Sequence, residues 1–201
     1  MTDFTDKIQR MKVTKGTDTA LMISPQMVKM PLPMKRHDDP FLPFSKEIIR
    51  ATQDLMVAYV FDMAAYLRLG AAGAIALERT ISYAIDDSVL ILHGPFSGDA
   101  FAEISDENAF AADAVTIASY DDAATYLQRS DRGAFVLSTA DKLPKAQPGL
   151  GIFNLQSRKL TLQLGDNTIT LRLFGDEIVY ASSSEAYGPD ARTALEKYLG
   201  S

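Results

Sequence analysis

A chain of 201 residues that is 47% apolar and 23% charged can bury one sizeable core and is too ordinary in composition to be disordered throughout. The absence of cysteine removes disulfides, thiolate nucleophiles and cysteine-ligated metal centres together. The net charge of −6 divides into +3 over residues 1–50 and −9 over residues 51–201, so the body would repel a phosphate backbone and no nucleic-acid partner is expected.

The opening MTDFTDKIQRMK has no apolar run of the signal-peptide kind, which makes a cytoplasmic location the expectation. Residues 1–44 show no sustained hydrophobic period and carry prolines at 25, 31, 33, 40 and 43, each of which forbids a central ladder position. They read as an extended arm. Met22, Met27, Met30, Leu32, Met34, Phe41 and Phe44 make that arm too apolar for a free linker, so it should lie on its own domain or on another subunit. A homo-oligomer, or a place in a larger complex, follows as an expectation.

Ser45 is a good N-cap with Glu47 in the first turn behind it, and the apolar positions from Ile48 to Leu67 cover a wide arc of one helix ending near Gly70. A second helical piece is expected over 72–83. Residues 55–77 approach the length of a membrane span, but Asp62 and Arg68 interrupt them at roughly 2.5–3.5 kcal/mol each when central, so a buried pair of helices and no membrane is the expected outcome. The small residues around Gly70 and Gly73 suit close helix packing better than a phosphate loop, since no strand precedes them and no Lys-Ser/Thr follows. Asp62, among apolar and phenolic helical neighbours, needs a partner or a raised pKa, and so is a candidate ligand contact.

SVLILH (88–93), AVTIAS (114–119) and AFVLS (134–138) are short apolar runs suited to buried strands. The DDAATYLQRSDR segment between the last two reads as a helix, which gives a strand–helix–strand unit able to be parallel. Leu160, Leu162 and Leu164, then Ile169, Leu171 and Leu173, alternate with polar residues around Gly165, Asp166, Asn167 and Thr168, the pattern of an antiparallel hairpin. A further strand is expected over 177–181, and then a helix opened by Pro189 at its first position, with Lys197 in its last turn and Gly200 beyond.

The expected fold is α+β: an extended N-terminal arm (1–44), then a single domain (45–201) with a buried helical pair, a mixed sheet ending in an antiparallel meander, and a C-terminal helix. His93 ends a strand and runs into Gly94, Pro95, Phe96, Ser97 and Gly98. Ligands collect beyond the carboxyl ends of parallel strands, so His93 is the candidate acid/base residue. Ser97, Gly98, Ser119 and Ser138 are candidate ligand contacts around it, with Asp62. His37, beside Asp38 and Asp39, reads as a solvated turn, and Asp121 with Asp122 caps a helix start in the place an anion would use.

No metal site is expected, and no cofactor can be named. Two functions remain open: a small-molecule-binding protein or enzyme with its pocket at the His93 loop, or a non-catalytic assembly protein that docks through residues 1–44.

Overall fold

The computed structural model describes residues 3–106, 109–140, 147–164 and 167–200, the Leu164 side chain excepted. Helix α1 (Phe4–Lys15) opens it. Asp3 caps the helix by accepting from the Thr5 amide at 2.8 Å, and Gly16 ends it in the left-handed region at φ 64°. Phe4, Ile8 and Met11 stand at i, i+4 and i+7 and are buried on one face.

Among the described residues eight strands follow: β1 (Thr19–Ile23), β2 (Ala58–Asp62), β3 (Val89–His93), β4 (Ala114–Ile117), β5 (Gly133–Leu137), β6 (Leu150–Asn154), β7 (Lys159–Leu164) and β8 (Asn167–Phe174). Neighbours from β1 to β6 pair in parallel, β7 runs antiparallel to both β6 and β8, and β8 pairs in parallel with β1, closing the barrel. This is a variant of the (β/α)8 barrel, in which a hairpin stands where two crossover units would.

The longer helices lie outside: α2 (Phe41–Thr52), α4 (Ala71–Ala84) and α8 (Tyr187–Leu199), with single-turn helices α3 (Met63–Tyr66), α5 (Phe101–Ile104), α6 (Ala123–Tyr126) and α7 (Asp176–Val179) at strand ends. Two apolar clusters result. The interior one joins Ala58, Val60, Val89, Ile91, Ala114, Phe135 and Phe153 to Phe4, Ile8 and Met11, so α1 plugs the barrel floor. Phe4 meets Phe135 edge-on at 6.1 Å, and a Cβ on Gly133 would lie 2.3 Å from the Phe4 ring. The outer cluster packs Tyr59, Phe61, Leu90, Leu92, Val115 and Ile117 against the helices. Phe44 of α2 stacks on Tyr180 and Tyr187 at 5.4 Å each, and the Tyr59 and Tyr66 hydroxyls bond Thr52 and Ser45 of α2 at 2.8 and 2.7 Å.

The expected α+β fold, with a mixed sheet ending in an antiparallel meander, is thus wrong: the sheet is a closed barrel with helices around it. The extended N-terminal arm is helix α1, strand β1 and two 3-10 turns leading into α2. Only the second member of the expected helical pair, α4, forms as expected. The first is divided, because 58–62 is strand β2, buried on both faces. Segment 177–181 holds the end of α7 and no strand, and Pro189 is the third residue of α8. The hairpin forms as expected as β7–β8, its turn residues Gly165 and Asp166 lying outside the described residues. Among the described residues no helix is long and apolar enough to cross a membrane.

Candidate functional site

Strand polarity puts the C-terminal ends of β1 to β6 at one mouth of the barrel, the end where such barrels carry their chemistry. Inward-facing residues there alternate with those of the outer cluster. Ser24 follows β1, Asp62 ends β2, His93 ends β3, Thr116 lies in β4, Leu137 ends β5 and Phe153 lies in β6.

Asp62 and His93 are register partners on adjacent strands, as are His93 and Thr116. The Ser24 hydroxyl donates to Asp62 Oδ2 at 2.7 Å, and Asp62 Oδ1 accepts from the Ala65 amide at 3.1 Å, capping α3. Nδ1 of His93 is 2.9 Å from the Thr116 hydroxyl, and its ring lies 5.2 Å from that of Phe153. Burial pushes the His93 imidazole below its ordinary value, and the nearby Asp62 charge opposes that shift without reversing it. At neutral pH the ring is therefore uncharged, with one nitrogen a donor and the other an acceptor.

Beyond Phe153 a cavity of about 600 Å³ opens between the ends of β5 and β6, walled by Leu137, Ser138, Thr139, Phe153, Leu155 and Gln156. Its size and its mixture of apolar wall with a few hydroxyls and an amide suit an organic ligand. A larger cavity of about 780 Å³ lies at the opposite end, between α1 and the β7–β8 hairpin, away from these strand ends.

On the β8 side the mouth is braced. The Tyr180 hydroxyl donates to the Ser24 carbonyl at 3.1 Å and accepts from the Gln26 amide at 2.7 Å, while Lys29 and the Gln26 side chain hold Asp176 at 2.6 and 3.1 Å. Arg158, in the β6–β7 turn, pairs with Glu177, which also accepts from the Gly175 amide at 3.2 Å.

Of the candidates taken from sequence, the structure gathers Asp62, His93 and Ser138 at the mouth. Asp62 stands on a strand end and not on the helix expected for it. Ser97 and Gly98 lie in the 3-10 segment Pro95–Ala100, where the Gly98 carbonyl accepts from the Tyr126 hydroxyl at 2.8 Å. The glycine after His93 is a packing requirement, since a Cβ on Gly94 would lie 2.6 Å from the Phe101 ring. Ser119 caps the next 3-10 turn, accepting from the Asp121 amide at 3.2 Å, and Ser138 accepts from the Ala140 amide at 3.0 Å.

Sequence reasoning passed over Ser24, Thr116 and Phe153. Thr116, the polar centre of an otherwise apolar strand, was the available signal. Among the described residues no cluster of three or more His, Asp or Glu could hold a metal ion.

No family model matches the chain. It is 30% identical over 143 residues to the orotidine 5'-phosphate decarboxylase of Herpetosiphon aurantiacus, covering 67% of this chain and 53% of that protein. It is 33% identical over 144 residues to that of a Janthinobacterium species, covering 67% and 52%. The chain thus spans about half the length of the curated relatives it matches. Among solved structures, a Streptomyces avermitilis protein provisionally assigned as an orotidine 5'-phosphate decarboxylase superposes with a TM-score of 0.71 at 12% identity, covering 100% of this chain and 96% of that one. The Leishmania donovani OMP decarboxylase gives 0.54 at 20% identity, over 84% and 62%. These structural likenesses establish the fold and leave the chemistry to the residues of the mouth.

Proposed function

We propose that the chain binds a pyrimidine nucleoside 5'-monophosphate at the mouth formed by β1 to β6, with His93 as the group that gives or takes a proton. The observation that carries the reading is the convergence of Asp62 and His93 as register partners at the ligand end of the barrel. Support for the ligand class comes from the relatives, which are orotidine 5'-phosphate decarboxylases.

The site has the parts such a ligand needs. Leu137 and Leu155, backed by the buried Phe153 ring, offer an apolar wall to a base, and Ser138, Thr139 and Gln156 offer hydrogen bonds to its edge. The neutral imidazole can act in either direction near pH 7, with Thr116 holding one of its nitrogens. Lys29 and Arg158 stand on the β8 side as cations for a phosphate, each now facing a carboxylate that a phosphate would have to share or displace.

The alternative, an assembly protein reaching out with its first 44 residues, is weakened because residues 4–15 and 19–23 are spent on the barrel itself.

The test is thermal unfolding with pyrimidine nucleoside 5'-monophosphates against ribose 5-phosphate. A nucleotide present at 100 times its dissociation constant should stabilise the native state by about 2.7 kcal/mol. The His93→Asn variant should lose turnover of any nucleotide the protein consumes while keeping its melting temperature at neutral pH within a few degrees. No shift with any nucleotide would remove the reading.

A further inference from the structure

We infer that Asp62 sets the charge of the base this mouth accepts: a neutral pyrimidine is admitted and a base bearing a carboxylate is turned away. The inference rests on the nucleotide reading above and goes beyond it, because it separates this chain's preferred ligand from the carboxylated nucleotide after which its relatives are named.

The inward-facing strand ends line the mouth. Among the described residues these are Ser24, Asp62, His93, Thr116, Leu137 and Phe153: one carboxylate, one imidazole, two hydroxyls and two apolar groups, with no lysine or arginine. The adjoining cavity wall adds Ser138, Thr139, Leu155 and Gln156, again without a cation. The described cations on this side include Lys29 and Arg158, paired with Asp176 and Glu177, Lys35, which donates to the Val28 carbonyl, and Arg68, whose charge reaches Tyr180, and all of them lie toward the β8 side. They suit the phosphate end of a ligand and leave its base to the uncharged wall.

Asp62 is also fixed in place. Ser24 holds one of its oxygens at 2.7 Å and the Ala65 amide the other at 3.1 Å, so it cannot easily swing away from an incoming anion. Its field already reaches His93, where it acts against burial. A ligand that reaches from the β5–β6 cavity past the Phe153 and His93 rings toward the end of β2 would bring a carboxylate up to a like charge with no counter-ion on the neighbouring strand ends, in a part-buried site where screening is weak. A ring N–H has the opposite fate. It can donate to the lone pairs that Asp62 keeps, and the neutral imidazole, the hydroxyls and the Gln156 amide can satisfy ring carbonyls.

The experiment is calorimetric titration of wild type and Asp62→Asn with uridine 5'-monophosphate, orotidine 5'-phosphate and ribose 5-phosphate at one ionic strength. Asparagine keeps the capping oxygen and removes the charge, so α3 keeps its start.

Wild type should bind the uridine nucleotide at least about tenfold more tightly than the orotidine nucleotide, and the variant should bring the two within about threefold, the scale of a single like-charge contact. Equal or tighter binding of orotidine 5'-phosphate by wild type, or its conversion with release of carbon dioxide, overturns the inference and leaves the nucleotide reading standing. So does a preference that survives unchanged in Asp62→Asn. If neither nucleotide binds better than ribose 5-phosphate, the nucleotide reading falls and the inference with it. Because the wild-type ratio decides the matter alone, a poorly folded variant does not rescue the idea.

Discussion

Asp62 and His93 end neighbouring parallel strands in register, so a carboxylate braced by Ser24 and an imidazole braced by Thr116 face the same barrel mouth. Neither pairing is made by residues close in sequence. Parallel pairing of β1 to β4 puts the four groups side by side, and their behaviour can be measured without knowing the ligand.

The first measurement is stability against pH. Burial holds the folded-state value of His93 below the ordinary 6.5, so as pH falls the unfolded chain takes up its proton first. The stability contributed by the neutral ring is therefore complete above about 6.5 and is lost as pH drops toward the lowered folded value. Denaturant midpoints collected from pH 7.5 down to 5 should fall less steeply in His93→Asn than in wild type. Superimposable slopes would mean that the ring is not buried in its neutral form.

Thr116 is expected to matter through the imidazole. Thr116→Val keeps the shape of the side chain and leaves Nδ1 of a largely buried ring without its hydroxyl, at a cost of about 1–3 kcal/mol, whereas Thr116→Ser should recover most of the loss. Urea unfolding of the three proteins distinguishes this from simple packing, for which the serine variant would be the worse of the two.

The floor of the barrel makes a steric prediction. A methyl group on Gly133 would press into the Phe4 ring at 2.3 Å, so Gly133→Ala should destabilise by about 1–3 kcal/mol. Phe4→Leu, which costs stability alone, should cost less in the presence of Gly133→Ala, since the two sites share one contact. Strict additivity in a double-mutant cycle would show that α1 does not seat on β5.

At high pH the tyrosines take over. Tyr59 and Tyr66 are fully buried and hydrogen-bonded to Thr52 and Ser45, and burial raises both phenols well above the ordinary value of 10. Their contribution is whole below pH 10 and drains away above it, as the unfolded chain ionises first. The Tyr59→Phe, Tyr66→Phe double variant should start less stable near neutrality and lose less between pH 9.5 and 11 when followed by circular dichroism. An equal decline would assign the alkaline transition to other groups.

How much of this the sequence disclosed depends on which faces each strand buries. The β7–β8 hairpin was legible because Leu160, Leu162, Ile169 and Leu171 face the interior while Lys159, Gln163, Thr168 and Arg172 do not, which produces clean alternation. Strand β2 was read as helix because Ala58 and Val60 face inward and Tyr59 and Phe61 face the helices. All four are buried, so the period of two vanished into an apolar run. The β4–β5 unit was recovered as strand–helix–strand, and its pairing is parallel. Closure was invisible: it depends on residues 19–21 meeting 172–174, which no local window contains. His93 showed itself as a strand end, but its link to Thr116 is a cross-strand relation and left no trace in spacing.

The reversal of β7 has a consequence for anyone re-engineering this chain. A strand running the other way ends at the floor, where β8 begins, and the β6–β7 turn stands on the ligand side as a tight reversal in place of a long loop. Discrimination between ligands must then be written into the segments that follow β1 to β6 and β8, and libraries that vary those segments, leaving the β7–β8 hairpin untouched, should change selectivity at the least expense in folding yield.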